Sequence, residues 1–359
     1  DLEMSFVGED DIMEVCEGLM KEVFKRTKSI DLEVPFKRIS YLEAMERFGT
    51  DRPDMRFSLE LKDITDIVKE CRFKVFREVV EKGGVVKGIN ARGGVDFSRK
   101  DIEELESVVR PFGARGLAWV RLREKPESPI IKFFSKQEMD RIVSRLDGKA
   151  GDVLFFVADK KDIACSSLAN LRLSLAKKLN LIKENTYDFV WISGFPLLEW
   201  DDGEGRYKPV HHPFTSPAEE DIPLLDKEPL KVRSRAYDLV LNGVEIGGGS
   251  IRIHQPHLQK KIFEILNIGE EEAQQKFGFL LEALKYGAPP HGGVAFGLDR
   301  LVMEITGAGS IRDVIAFPKT QRAVCMLSGA PDSVKEEQLR ELKIKVMGDA
   351  GIEPATSAV

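Results

Sequence analysis

An Asn-Gly pair at Asn242-Gly243, set between two apolar runs, constrains this 359-residue chain more than any other feature. Asparagine and glycine supply the two positive-φ residues of a type I′ turn, so Ala236 to Arg252 reads as a two-stranded hairpin. A two-residue loop also fixes register, setting Leu241 opposite Val244, Val240 opposite Glu245 and Asp238 opposite Gly247. Asp238 and Glu245 then share one face. Two carboxylates a diagonal step apart repel unless one is protonated, water separates them or a cation neutralises them. Hard oxygen ligands favour Mg2+, above all beside phosphates, while a plain solvated acidic face is the alternative.

Strict alternation along the second strand turns Arg252 to the opposite face from the two acids. A bulge in the run Gly247-Gly248-Gly249 would reverse that parity. Glycines inside a strand also clear space where a planar ligand approaches; a flexible turn is the other reading. Upstream, His211-His212-Pro213-Phe214-Thr215-Ser216-Pro217 puts two imidazoles ahead of a Pro-bounded loop. A zinc site needs at least three ligands, and no Cys or HExxH partner stands nearby, so hydrogen bonding to an anionic substrate is the sharper reading. Downstream, Gly292 to Phe296 reads as a glycine-flanked strand leading through Gly297 into a helix with Arg300 in its first turn. An arginine at a helix N-terminus favours a polyphosphate, with a salt-bridged arginine as the bland alternative.

The remaining chain divides by texture. Leu2 to Ser5 alternates like a strand, and Asp10 and Asp11 are placed to cap a helix carrying Ile12, Val15, Cys16, Leu19, Met20 and Val23 at core-facing spacing. Ser40-Tyr41-Leu42-Glu43 has the form of a capping box, and Gly49 stops the short helix that follows. The charged turn Phe48 to Arg56 reads, by composition, as a solvated loop. From Leu61 to Leu179 short helices and strands alternate without a single histidine. Ser98 caps a helix with Ile102, Leu105, Val109 and Phe112, Gly113 ends it, and Leu117 to Leu122 and Val153 to Ala158 read as strands. Phe189 to Ile192 is a further strand, and helices follow around Leu258 to Leu266 and Ala273 to Leu284. Ser333 to Val346 reads as a last helix and strand, with a disordered tail over 347–359.

Composition excludes several classes. Lys and Arg number 54 against 60 Asp and Glu, a formal charge of −6, so there is no global basic field for non-specific nucleic-acid binding. Four cysteines without CxxC spacing argue against a zinc cluster or a disulfide framework and fit a reducing cytosol. No apolar run approaches the roughly 20 residues of a membrane span.

Taken together these motifs resemble the class II aminoacyl-tRNA synthetases, and within them the bacterial-type aspartyl-tRNA synthetases. Gly297-Leu298-Asp299-Arg300-Leu301 is similar to the third signature motif of the class. The segments His211 to Pro217, Gly243 to Arg252 and Phe48 to Arg56 look like the aspartate enzyme, the last against its bland reading. The resemblance runs from Asp1 to about Val346. It implies an α+β fold: an antiparallel sheet flanked by helices, formed by residues 1–62 and 181–346, with a smaller α+β domain inserted over 63–180. It implies activation of L-aspartate by ATP with Mg2+, and transfer to tRNA(Asp), with tRNA(Asn) left open, by a cytoplasmic homodimer. In that scheme Asp1 holds the substrate amino group, and Arg252 pairs with its side-chain carboxylate in a pocket completed by His211 and His212. Asp238 and Glu245 organise Mg2+ on ATP, and Gly297, Leu298, Asp299 and Arg300 meet the nucleotide.

The resemblance also implies elements not found here: an anticodon-binding barrel, the first two class motifs and a substrate lysine, all ahead of Asp1. The chain is therefore expected to be part of a synthetase and inactive alone. Two rivals remain. A synthetase-like, ATP-dependent asparagine synthetase would lack the middle insertion, and a non-catalytic interaction module would differ only in what precedes Asp1.

Overall fold

A computed structural model describes residues 1–343. In chain order the strands are β1 (Leu2–Ser5), β2 (Lys37–Ser40), β3 (Leu61–Asp63), β4 (Val85–Ala91), β5 (Ala118–Arg121), β6 (Val153–Asp159), β7 (Phe189–Ser193), β8 (Leu198–Asp201), β9 (Arg206–Pro209), β10 (Ala236–Leu241), β11 (Val244–Ile251) and β12 (His291–Phe296). The helices are α1 (Glu9–Lys28), α2 (Tyr41–Phe48), α3 (Thr65–Val68), α4 (Lys74–Glu81), α5 (Arg99–Val109), α6 (Lys136–Arg145), α7 (Lys161–Lys178), α8 (Pro256–Ile265), α9 (Glu270–Lys285), α10 (Leu298–Thr306) and α11 (Glu336–Glu341). The expected strand at the end of Ser333 to Val346 and the tail over 347–359 lie outside the described residues.

Two sheets organise these elements. The larger has the order β1-β12-β11-β10-β7-β2, antiparallel except for the β2–β7 pair at one edge. Its back face buries Tyr237, Leu239, Ile246, Ile251 and Val294 against Ile12, Met13, Cys16, Met20 and Phe24 of α1. That stripe differs from the expected one, because Val15 and Leu19 fall on the far side of the 3.6-residue wheel and face outward. Glu17 lies within the buried stripe, where its carboxylate accepts the Trp191 Nε1–H at 3.0 Å. Gly8, rather than Asp10 or Asp11, is the N-cap, and Asp11 accepts its backbone N–H at 2.7 Å.

The smaller sheet, β3-β4-β6-β5, is antiparallel throughout. Ile89, Val153, Phe155 and Val157 point to one face and pack on α5 and α7. Val86, Leu154 and Phe156 point to the other and pack against residues of α3, α4 and α6. Its first strand begins at Leu61, and Phe57 and Leu59 belong to its core. A boundary at residue 62 therefore cuts a strand, and the unit starts some residues earlier than the texture change suggested.

The two sheets are joined by contacts that a sequence hardly reveals. Gly49 ends α2 at φ +71°, and a Cβ there would lie 2.4 Å from the Cys165 carbonyl oxygen of α7. Only glycine fits. Ser40 accepts the Glu43 N–H at 3.1 Å, but the Glu43 carboxylate turns to Arg47 instead of back to Ser40, so the capping box is half formed. The loop after Gly49 is not solvated throughout: Asp54 is buried, and its carboxylate receives Arg56 Nε at 2.9 Å and Nη2 at 2.7 Å.

Candidate active site

The β10–β11 hairpin forms about Asn242 and Gly243, both at positive φ, 54° and 89°. Leu241 faces Val244 and Val240 faces Glu245, as the turn requires, but Leu239 then faces Gly247 and Asp238 faces Gly248. Ile246 is an extra residue, so the bulge sits one position ahead of the glycine run. Its effect is the parity reversal that Arg252 needs. With Val240 and Glu245 paired on one face, Asp238, Gly248, Ser250 and Arg252 all follow on that same front face.

Each of the three glycines already has a protein atom where its Cβ would go. At Gly248 that atom is Asp238 Oδ1, 2.3 Å away; at Gly247 it is the Phe296 ring, 2.6 Å away; at Gly249 it is the Gly293 carbonyl oxygen, 1.9 Å away. The run therefore serves close packing of the sheet on itself, and the Tyr237 hydroxyl uses the opening at Gly249 to donate to the Gly293 carbonyl at 3.0 Å. Room for a ligand is not what the chain's own atoms demand here.

Arg252 is the best-held polar group of the front face. Its Nη1 lies 2.5 Å from His212 Nε2 and 2.6 Å from Ser250 Oγ, and its Nη2 donates to Glu3 Oε1 at 2.9 Å. Burial, then the neighbouring Arg252 and His211, push the His212 imidazole down to about 4, so it is neutral near pH 7 and free to accept from the guanidinium. Glu3 is a residue that sequence reasoning missed. It crosses β12 at Gly293, where a Cβ would lie within 2.5 Å of the Glu3 carboxylate. The signal was available only in part: alternation in β1 puts Glu3 on one face with Asp1, but not which neighbour that face meets. Asp1 itself is exposed, just ahead of β1.

The other expected residues fall into two groups around the acids. His211 Nε2 is 4.0 Å from Asp238 Oδ2, and the imidazole packs edge-on to Phe195 at 4.9 Å between centroids. Arg300, in the first turn of α10, donates to the Glu245 carbonyl at 2.8 Å, with the Glu245 carboxylate 3.6 Å away. The two carboxylates thus face different partners instead of each other. Leu298 and Asp299 turn to solvent beside Arg300. At Gly297 an added Cβ would make only ordinary contact, 3.4 Å from Arg300 Cδ, so nothing in the chain itself requires glycine there. Among the described residues no three His, Cys, Asp or Glu side chains gather into a protein-only metal cage.

A sheet of this order, with acids, an arginine and a glycine-bracketed helix start on one open face, can be placed in a family. Residues 1–321 match the model of the class II tRNA synthetases of the D, K and N group. The chain belongs to that family, and its α+β architecture is that class's fold. Among curated relatives, the aspartate–tRNA(Asp/Asn) ligase of Persephonella marina is 58% identical over 354 residues, covering 96% of this chain and 58% of that protein. The ligase of the same name from Thermoanaerobacter sp. (strain X514) is 57% identical over 347 residues, covering 96% and 59%. That of Aquifex aeolicus is 55% identical over 360 residues, covering 97% and 60%. The chain spans about three fifths of the length of the curated relatives it matches.

Proposed function

We propose that this chain carries the amino-acid-activating site of an aspartate–tRNA ligase, which joins L-aspartate to ATP as aspartyl-adenylate and passes it to tRNA(Asp) and tRNA(Asn). The single observation that carries the reading is Arg252. Its guanidinium is presented as a planar fork on the front of the sheet and is already paired with a carboxylate, that of Glu3. An aspartate side chain offers the same group, and two parallel N–H···O bonds suit it. The Arg252 charge favours a side-chain carboxylate over an uncharged amide, and neutral His212 adds a hydrogen-bonding wall beside it.

Asp1, on the strand face of Glu3, takes the substrate ammonium, and His211 closes the pocket beside Asp238. Arg300 and the N-terminus of α10 meet the ATP phosphates, with Gly297, Leu298 and Asp299 against the nucleotide. Asp238 and Glu245 are the residues that would hold Mg2+. Two carboxylates without a third protein ligand suit an ion that draws its remaining oxygens from phosphate and water. Bound there, Mg2+ would neutralise phosphate charge as pyrophosphate leaves. The chain's own contribution is positioning: Arg252 orients the aspartate so that its α-carboxylate reaches the α-phosphate. This reading implies a cytoplasmic enzyme acting as a homodimer on tRNA.

The test is pyrophosphate exchange into ATP, measured on the chain carried in a protein of its relatives' full length. Exchange should require aspartate and ignore asparagine. Glu245→Gln should raise the Mg2+ and ATP concentrations needed while leaving the aspartate dependence in place. Exchange driven equally by asparagine would sink the reading.

A further inference from the structure

Arg172 lies on α7, in the unit built on the smaller sheet, far along the chain from every group on the front of the larger one. It is buried, with 1% of its surface exposed. Among the described residues its guanidinium has no carboxylate within ion-pair distance. It is held instead by three backbone carbonyls: Nε donates to Leu59 at 2.6 Å, and Nη2 donates to Asp54 at 2.7 Å and to Phe57 at 2.9 Å. The Phe48 and Phe57 rings cover it at 4.8 and 4.1 Å from their centroids. A buried cation bonded only to main chain is a costly way to fill a core, and its geometry serves one end: it fixes the course of residues 54–59.

That segment lies against the turn of the hairpin. A Cβ at Gly243 would be 3.2 Å from Asp54 Cβ and 3.5 Å from the Asp54 backbone. The neighbouring Asn242 accepts the Asp188 N–H at 3.0 Å and donates to the Thr186 carbonyl at 3.1 Å and toward the Glu304 carboxylate at 3.4 Å. Glu304 is on α10, about one turn beyond Arg300, and burial raises its pKa while Asn242 and Arg56 oppose the rise. The turn that starts β11 is therefore clamped between the 54–59 segment and α10. Glu245 stands two residues past it.

We infer that Arg172 is a positioning residue for the nucleotide half of the site: through the 54–59 segment it sets the Asn242-Gly243 turn, and through that turn the placing of Glu245 against Arg300. The Arg252 pocket lies at the other end of β11 and is held by β1, β12 and His212, so it does not depend on this support. The functional consequence rests on the ligase reading; the structural one does not.

Arg172→Lys keeps a charge but cannot reach three carbonyls from a planar fork between two rings. The expected result is faster hydrogen exchange at the amides of residues 240–245, with those of β1 and β12 unchanged. MgATP binding, measured by equilibrium dialysis, should weaken about tenfold and aspartate binding by less than about twofold, as expected when only one ligand's contacts are misplaced. Phe57→Leu, which removes the ring 4.1 Å from the guanidinium, should give the same pattern more weakly and stands in should Arg172→Lys not fold. Unchanged exchange at 240–245 overturns the inference, and so does equal weakening of both ligands. If the unaltered protein binds no MgATP at all, the ligase reading fails, and the exchange measurement still decides whether Arg172 holds the turn.

Discussion

The two sheets are built from similar strands and put to different use. β6 of the smaller sheet and β10 of the larger are both apolar and buried along nearly their whole length. In the smaller sheet both faces are covered by helices, and the two polar side chains buried in β4 find protein partners, save for the Asn90 Oδ1, which has none among the described residues. Lys87 reaches Glu46 at 2.8 Å, and the Asn90 amide donates to Leu146, Asp147 and Asp152. In the larger sheet α2 covers only the end of the front face near β7 and β2, through Ala44 on Val190, Ile192 and Val240. The part from β10 to β1 is left to Asp238, Glu245, Arg252 and Glu3. A face that helices leave open keeps its polar side chains within reach of a ligand, and chemistry needs that access.

On this division of labour, a core truncation on the face of the smaller sheet turned away from α7 should cost stability and nothing else. Phe156→Ala, on the side of α3, α4 and α6, should lower unfolding free energy by about 3–5 kcal/mol in urea titration, with ligand binding per folded molecule unchanged. Altered binding would break the contrast. The converse change is Arg252→Lys, which should reduce aspartate-dependent exchange by about 10²–10³, since a point charge cannot replace the fork. Its unfolding midpoint should hardly move.

Glycines sharpen the comparison on the stability side. Gly249→Ala puts a methyl 1.9 Å from a backbone oxygen of the next strand, whereas Gly88→Ala meets the Phe156 ring at 2.8 Å, a side chain able to shift. The first should cost about 3 kcal/mol and the second about 1 kcal/mol, read from the same titrations. The last contrast concerns protons. The His212 imidazole falls from an ordinary 6.5 to about 4 in the folded chain. Between those values the unfolded chain binds the extra proton, so stability declines as pH falls through that window and the loss is complete below it. His212→Gln should flatten the decline, which a series of melts between pH 4 and 7 would detect; the smaller sheet contains no histidine to add a similar term.

Much of this was readable in advance because local rules decide it. The Asn-Gly turn, the Ser98 cap and the αL stops at Gly49 and Gly113 depend on a few adjacent residues, and the structure has them as expected. What local rules could not supply was anything set by the partner strand. The bulge belongs to Ile246 because the glycines that follow pack against Asp238, Phe296 and Gly293, three residues scattered over the sheet. Glu3 escaped notice for the same reason, its partner lying 249 positions away. The loop at Phe48 to Arg56 misled by composition, because Asp54 and Arg56 pair inward and Arg172 of a distant helix binds the Asp54 carbonyl. For the acid pair a shared face was legible, but not that His211 would stand beside Asp238 and Arg300 beside Glu245.

The bulge at Ile246 also limits how this strand can change length. It acts as a frame: every residue after it is in phase with the front face only because of one extra position. Losing a single residue anywhere between Glu245 and Arg252 would send the guanidinium through the sheet to the α1 side. Losing two would restore the side but draw it about 7 Å along the strand, at roughly 3.4 Å per residue, away from Glu3 and His212. Residues here can be exchanged for others; they cannot be added or removed one at a time.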